Sequence, residues 1–369
     1  MNIETLLYSY LAICTAMIIF NIITAVVLRA KDNRIVHVSN EFKKRILEQI
    51  PLTAEGKDIE ERHKDYMARK LRKVENMIAF DKILEELYAD DPVSADGYLS
   101  RLGSVIASLA LMYGGRDCIE AAYFPYIIKK YKLIYNNSLP EITDMLIHLL
   151  SEPSLYCREN AMQALYTSGD CGCIIKALKI IDKSDMFFHG KLISDGLLTF
   201  TGDHNELAEQ IKADFESFSV QMRVSLLNFF RFDSGNQCEF IYSLLCDDTQ
   251  DNEIRYACIR YFGKYHYGPA YAKLLALGDY KNGLTWEYSA IASYTLAIYP
   301  GEQTVELLKN NLRSPNWYVR YNSSLSLDRL GLTYIELIDI IEGSDRYASE
   351  ILRYRFELRN LSEKEAVSQ

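Results

Sequence analysis

Side chains able to do acid–base, nucleophilic or metal chemistry are scattered through this sequence rather than grouped. The six histidines are His37, His63, His148, His189, His204 and His266. None belongs to an H-E-x-x-H pair, which would set two imidazoles on one helix face for zinc. No G-x-S-x-G elbow or phosphate-loop spacing accompanies them. The eight cysteines are Cys14, Cys118, Cys157, Cys171, Cys173, Cys238, Cys246 and Cys258. They lack C-x-x-C spacing, and no histidine cluster completes a tetrahedral site around Cys171-Gly172-Cys173. Structural thiols in a reducing compartment are the expectation. Gly114-Gly115-Arg116-Asp117, Ser168-Gly169-Asp170 and Thr201-Gly202-Asp203-His204 read as turns at helix ends. The sequence therefore predicts no catalytic residue, no metal and no cofactor.

Chemistry of another kind is concentrated at the amino terminus. Thr5 to Leu28 is a run of 24 residues without a charged side chain, long enough to span a hydrocarbon core of roughly 30 Å. Only Glu4 and the free amine precede it in the sequence, so the basic region of a cleaved signal peptide is not expected. Asn21 is the one amide in the run, either tolerated there or bonded to a neighbouring helix. Arg29, Lys31, Arg34, Lys43, Lys44 and Arg45 follow the run, which predicts a single-pass cell (inner) membrane protein with its carboxyl-terminal portion cytoplasmic.

Charge then changes along the chain. Residues 29–82 carry 14 Lys/Arg against 10 Asp/Glu, whereas residues 83–369 carry 27 against 39, within a net of −9 for the whole chain. An acidic body argues against nucleic acid as partner. In the basic stretch, Met67, Leu71, Val74 and Ile78 recur at helical spacing, and Arg62, Lys64, Arg69, Lys70, Arg72 and Lys73 lie off that stripe. This predicts one amphipathic helix, after a hinge at Pro51 and Gly56, whose basic face either meets anionic lipid or is simply solvated.

From about residue 142 a period of 32 to 33 residues governs the sequence. Cys157, Gly190, Met222, Ile254, Trp286 and Val319 take position zero of successive segments. Four residues on stand Ala161, Ser194, Leu226, Cys258, Ala290 and Ser323; seven on, Ala164, Leu197, Phe229, Tyr261, Ser293 and Ser326. Eight on stand Leu165, Leu198, Phe230, Phe262, Tyr294 and Leu327. At 100° per residue these offsets fall on one helical stripe. A second apolar helix precedes each one, in register through Leu146, Leu178, Ile211, Leu244, Leu275, Leu308 and Ile341.

Two helices per period predict an all-α fold, an α-α superhelix of about six regular helix pairs preceded by one transmembrane helix. The expected layout is a tail at 1–4, a membrane helix at 5–28, a basic helical linker at 29–90 and irregular opening helices at 91–141. The solenoid would occupy 142–360 and a disordered tail 361–369. Tyr98 to Met112 and Ile119 to Ile134 read as single helices. Tyr347, Ile351, Tyr354 and Leu358 mark the expected inner face of a capping helix, with Arg346, Arg353, Arg355 and Arg359 outside.

Asn252-Glu253-Ile254-Arg255-Tyr256-Ala257 and Asn316-Trp317-Tyr318-Val319-Arg320-Tyr321, the latter followed by SSLSLDRLG, resemble the second helix of bacterial HEAT-type repeats. The resemblance covers roughly residues 142 to 360. It implies architecture, and it implies that the basic column Arg158, Lys191, Arg223, Arg255 and Arg320, broken by Glu287, forms a structural ladder against turn carboxylates and carbonyls. One position further on lie Glu159, Leu192, Val224, Tyr256, Tyr288 and Tyr321. Leu192, Val224, Tyr256, Tyr288 and Tyr321 make a candidate partner-binding stripe; the alternative is packing between repeats. The resemblance implies a membrane-anchored scaffold for a membrane-associated protein partner, of the kind that accompanies membrane or envelope glycosyltransferases. Two other classes carry the same repeats, phycobilin-lyase-like enzymes and nucleic-acid-reading DNA glycosylases. A pigment pocket with a placed acid would mark the first, a basic concave face the second.

Overall fold

The computed structural model describes residues 3–116, 118–135 and 139–367, with side chains described for 8–116, 120–135 and 139–359. Among these residues the protein is all-helical. It divides into two compact units, Met1–Met186 and Phe187–Gln369.

The first unit begins with α1 (Ile3–Ala54), one continuous helix of 52 residues. Its outer half is long and apolar enough to cross a membrane, with a mean hydropathy of 2.6 over its most apolar 18 residues and none of that window buried. The hydroxyls of Thr15 and Thr24 donate to Leu11 and Phe20 carbonyls, each at 2.8 Å. That satisfies them within the helix, as a helix crossing a membrane would require. The inner half behaves differently: Ser39, Phe42, Ile46 and Gln49 are buried. Of the linker expected over 29–90, the part of α1 from Ser39 on is therefore a core element, while residues 29–38 of the same helix bury no side chain. Pro51 sits inside the last turn of α1, so the helix ends three residues after it at Ala54, and only Gly56, at φ +76°, makes a turn.

The remaining helices of this unit are α2 (Glu61–Lys70), α3 (Val74–Asp90), α4 (Pro92–Arg101), α5 (Gly103–Tyr113), α6 (Cys118–Lys130), α7 (Pro140–Leu149), α8 (Leu155–Leu165) and α9 (Cys171–Lys183). The single amphipathic helix expected through Met67 and Ile78 is broken at 71–73. Leu71 leaves the helical path to bury itself, with its carbonyl accepting the Tyr113 hydroxyl at 2.9 Å. The helix expected over Tyr98 to Met112 is likewise two, parted at buried Leu102. The one expected to reach Ile134 stops at Lys130, before a turn in which Lys132 has φ +50°. Pairs α1–α3, α1–α4, α2–α5, α5–α7 and α6–α8 pack together. The opening helices and the first regular pair thus share one body, and no boundary falls near residue 141.

The second unit contains α10 (Gly190–Leu197), α11 (His204–Asp214), α12 (Val220–Asp233), α13 (Cys238–Cys246), α14 (Asn252–Phe262), α15 (Tyr271–Gly278), α16 (Trp286–Thr295), α17 (Glu302–Asn311), α18 (Trp317–Arg329), α19 (Ile338–Ile341) and α20 (Arg346–Val367). Caps start several of them: Asp203, Ser219, Asp251 and Asn316 accept from amides in the first turn of α11, α12, α14 and α18, each worth about 1 kcal/mol. Even-numbered helices pack on one another in sequence from α10 to α20, and α13, α15, α17 and α19 pack on their successors. Offsets four and seven are buried throughout this row, from Ser194 and Leu197 to Ser323 and Ser326. Where these are short, as at Ser194, Ala290, Ser293, Ser323 and Ser326, neighbouring axes can approach; at Gly190, in position zero of α10, an added Cβ would collide with the Ser225 hydroxyl.

Two expectations change within this row. Trp286 and Tyr294, assigned to the buried stripe of α16, are exposed, because the segment Leu296–Ile298 turns in and Leu296 fills the core. In α20 the inner face is Ala348 and Leu352, joined to Leu308, Leu327, Leu337 and Ile341, whereas Tyr347, Tyr354 and Leu358 face out. Arg359 turns inward to the Asp328 carboxylate and the Leu332 carbonyl, and its guanidinium lies over the Phe356 ring at 5.3 Å. The helix continues to Val367, so the disorder expected from residue 361 is not seen that far; Ser368 and Gln369 lie outside the described residues.

Candidate partner-binding surface

The basic column meets the turns between helices. Arg158 donates to the Met186 carbonyl at 3.2 Å, and Arg223 to Glu216 at 2.8 Å and Gln250 at 3.2 Å. Arg255 reaches Asp248 at 2.8 Å, and Arg320 the carbonyls of Ser314 at 2.6 Å and Pro315 at 3.2 Å. Lys191 is exposed on α10. These guanidinium groups hold turns.

Tyr256 and Tyr288 do not belong to a binding stripe. Both are buried, at 5% and 1% exposure, in the seam between α14 and α16. Their rings meet edge to face at 4.7 Å, the Tyr256 hydroxyl pairs with Thr285 at 2.6 Å, and the Tyr288 hydroxyl donates to Asn252 at 2.8 Å. The Arg255 guanidinium lies over the Tyr288 ring at 5.1 Å. Burial pushes both phenols above their ordinary pKa. The position that points away from the core of its own helix points into the next helix of the row. Leu192, Val224 and Tyr321 at the same offset remain half-exposed.

Val224 lines an open groove of about 1120 Å³ between α10 and α12, with Leu198, Phe232, Asp195, Asn228 and Glu253. His189 stands at its edge as the N-cap of α10, its Nδ1 accepting from the Lys191 amide at 3.1 Å. The groove combines apolar wall with charges of both signs.

A run of exposed rings in mutual contact lies further along the row. Trp286 is 43% exposed at the start of α16; Trp317 and Tyr318, at the start of α18, are 52% and 55% exposed. Trp286 stacks on Tyr318 at 5.3 Å, Tyr318 meets Trp317 at 5.1 Å, and Trp317 stacks on Tyr321 at 4.8 Å. Arg355 closes the series over the Tyr321 ring at 4.4 Å. Both tryptophans of the chain are in this ladder. Of its members, sequence reasoning selected only Tyr321. The available signal was Trp317-Tyr318 just before Val319: two bulky rings side by side, immediately upstream of the first buried position, cannot both turn inward.

The residues that suggested turns behave as such. Asp170 caps α9, accepting from the Cys173 amide at 3.1 Å after Gly169 at φ +72°. Asp117 of the Gly114-Gly115-Arg116-Asp117 segment lies outside the described residues. His204 pairs with Asp233 and with the Phe200 carbonyl. Burial opposes its protonation, but these acceptors prevail and hold its pKa above the ordinary value. His63, buried against the Tyr98 hydroxyl at 2.8 Å, is pushed the other way by burial and by Arg45. The six membrane-proximal basic residues divide by role: Lys31 and Arg34 approach Glu75, Lys43 bonds Glu86 and Arg45 lies over the Tyr66 ring, while Arg29 and Lys44 are exposed.

No family model matches the chain, and no curated protein matches its sequence.

Proposed function

We propose that this protein is a membrane-anchored helical-repeat scaffold, an α-solenoid of HEAT-like pairs, that docks a protein partner on the aromatic edge of α16 and α18. The observation that carries this reading is the continuous ladder Trp286–Tyr318–Trp317–Tyr321, in which both tryptophans of the chain stay exposed while each ring is held by its neighbour. Tryptophan, tyrosine and arginine dominate the energetics of protein interfaces because they bury large rigid areas at low entropy cost. Stacking holds these rings in place before any partner arrives, which lowers the cost of ordering them.

The one-after-another packing of even-numbered helices at the sequence period supports the solenoid. The uninterrupted passage of α1 from its apolar half into the core supports a retained anchor, since cleavage after the apolar run would cut a core helix. The basic flank supports a cytoplasmic placement of both units. The partner fitting this geometry is another membrane-associated protein, and a membrane or envelope glycosyltransferase is the class that the repeat resemblance implies.

The reading is tested by co-purification of the full-length chain from detergent-solubilised membranes, beside a Trp317→Ala, Tyr318→Ala variant. A stoichiometric protein with the native chain and at least a tenfold loss with the variant is expected. Equal recovery by both, or a bound pigment or nucleic acid in place of a protein, refutes it.

A further inference from the structure

The first three helices fix one corner of the fold relative to the end of the apolar run. Lys70 reaches Glu41 at 3.4 Å, the Tyr66 ring meets Phe42, and the Glu60 amide donates to Gln49 at 3.0 Å, so α2 runs antiparallel to α1. Ser39 donates to the Ala79 carbonyl at 3.2 Å and Lys43 to Glu86 at 2.8 Å, so α3 runs parallel to it. The turn between α2 and α3 is thus the end of this hairpin nearest the apolar run. Glu75, at the start of α3, lies 3.8 Å from Lys31 and 3.6 Å from Arg34. At 1.5 Å per residue those two positions stand about 4.5 and 9 Å beyond Leu28. A headgroup layer adds roughly 5–7 Å to each side of the hydrocarbon, and its field extends about 10 Å further at moderate salt.

The corner is rigid and its charges face out. Leu71 is buried with its carbonyl held by Tyr113, and the Asn76 amide donates to the Lys70 carbonyl at 2.8 Å. Between these fixed points Arg72 and Lys73 are exposed. The facing stretch of α1 carries Arg29, Lys31 and Arg34, of which Lys31 and Arg34 approach Glu75, and the end of α2 carries Arg69 and Lys70. With Arg72 and Lys73 these are seven basic groups against Asp32, Glu41, Asp65 and Glu75, in a chain whose net charge is −9.

We infer that Arg72 and Lys73, with Arg29 and Lys31 on α1, form a two-segment collar that binds the anionic phospholipid headgroups of the leaflet from which α1 emerges. This rests on the membrane-anchor reading above. The collar is assembled from segments some 40 residues apart in sequence (Arg29 to Arg72) and presses the first unit to the bilayer at a fixed orientation. It therefore does more than attract a flexible tail.

The test is amide hydrogen exchange over residues 70–75 of the full-length chain in nanodiscs of phosphatidylcholine alone and with added phosphatidylglycerol. Exchange should slow about fivefold or more with the anionic lipid, the effect of one basic group engaged at such a surface. An Arg72→Gln, Lys73→Gln variant should show one rate in both discs, and Lys212→Gln should behave as the native chain. Equal rates for the native chain in both discs, slowing that survives in the double variant, or equal slowing by inorganic phosphate in phosphatidylcholine discs overturns the collar alone. A chain that enters neither disc overturns the anchor, and the collar with it.

Discussion

The seam between α14 and α16 and the edge shared by α16 and α18 use the same kind of side chain for opposite ends. Tyr256 and Tyr288 are buried, edge to face, with both hydroxyls satisfied by Thr285 and Asn252. Trp317 and Tyr318 begin α18, the next even-numbered helix, and stay more than half exposed. The difference is where each position lies along and around its helix. An offset two residues past the first core position leans sideways into the neighbouring helix, while Trp317 and Tyr318, the two residues before the first core position Val319, stand at the helix start and meet the rim ring Trp286 of α16 and the other rings of the ladder. In a row of packed helices, facing away from one's own core does not mean facing water.

The largest effects should mark the core that both regions lean on. Phe230→Ala or Phe262→Ala removes a fully buried ring and should cost about 3–5 kcal/mol in denaturant unfolding. In the seam, Tyr288→Ala should cost about 3 kcal/mol, the ring's burial plus its aromatic pairing. A loss as small as that of a surface change would return Tyr288 to the binding surface and erase the contrast.

A pH effect of smaller size should come from His204. Its pKa is raised in the fold, so the pair with Asp233 contributes its full stability below the ordinary histidine value of about 6.5. That contribution is lost as pH rises through the raised folded value. The melting-temperature difference between the native chain and His204→Gln should therefore shrink from mildly acidic toward alkaline pH; a difference that grows would reverse the sign. Smallest of all, Trp317→Ala with Tyr318→Ala should move stability by about 1 kcal/mol or less, as exposed positions do, while still removing partner capture.

The sequence made within-helix burial legible because a period of 3.6 records which side of a helix meets the core. Ala161, Leu226, Cys258 and Ser323 are buried where the columns place them, as are Leu178, Ile211 and Leu308 on the preceding helices. What lies between helices is written in no single helix. Tyr256 and Tyr288 needed the neighbouring axis to be known, and Trp286 needed the turn that brings Leu296 inward. In α20 the larger residues Tyr347 and Tyr354 suggested an inner face, yet small Ala348 allows the close approach and Leu352 fills it. Near the amino terminus, the composition change after Leu28 suggested a boundary, but Phe42 and Ile46 carry the same helix straight into the core.

Site-specific photo-crosslinking in native membranes bears most directly on the claim that the exposed ring ladder holds a partner. With Tyr318 replaced by benzoyl-phenylalanine in the full-length chain, irradiation should yield one adduct with a different, membrane-associated protein, and the same probe at Lys212 should yield none. No protein adduct from position 318, or adducts confined to lipid or to a second copy of this chain, would contradict it.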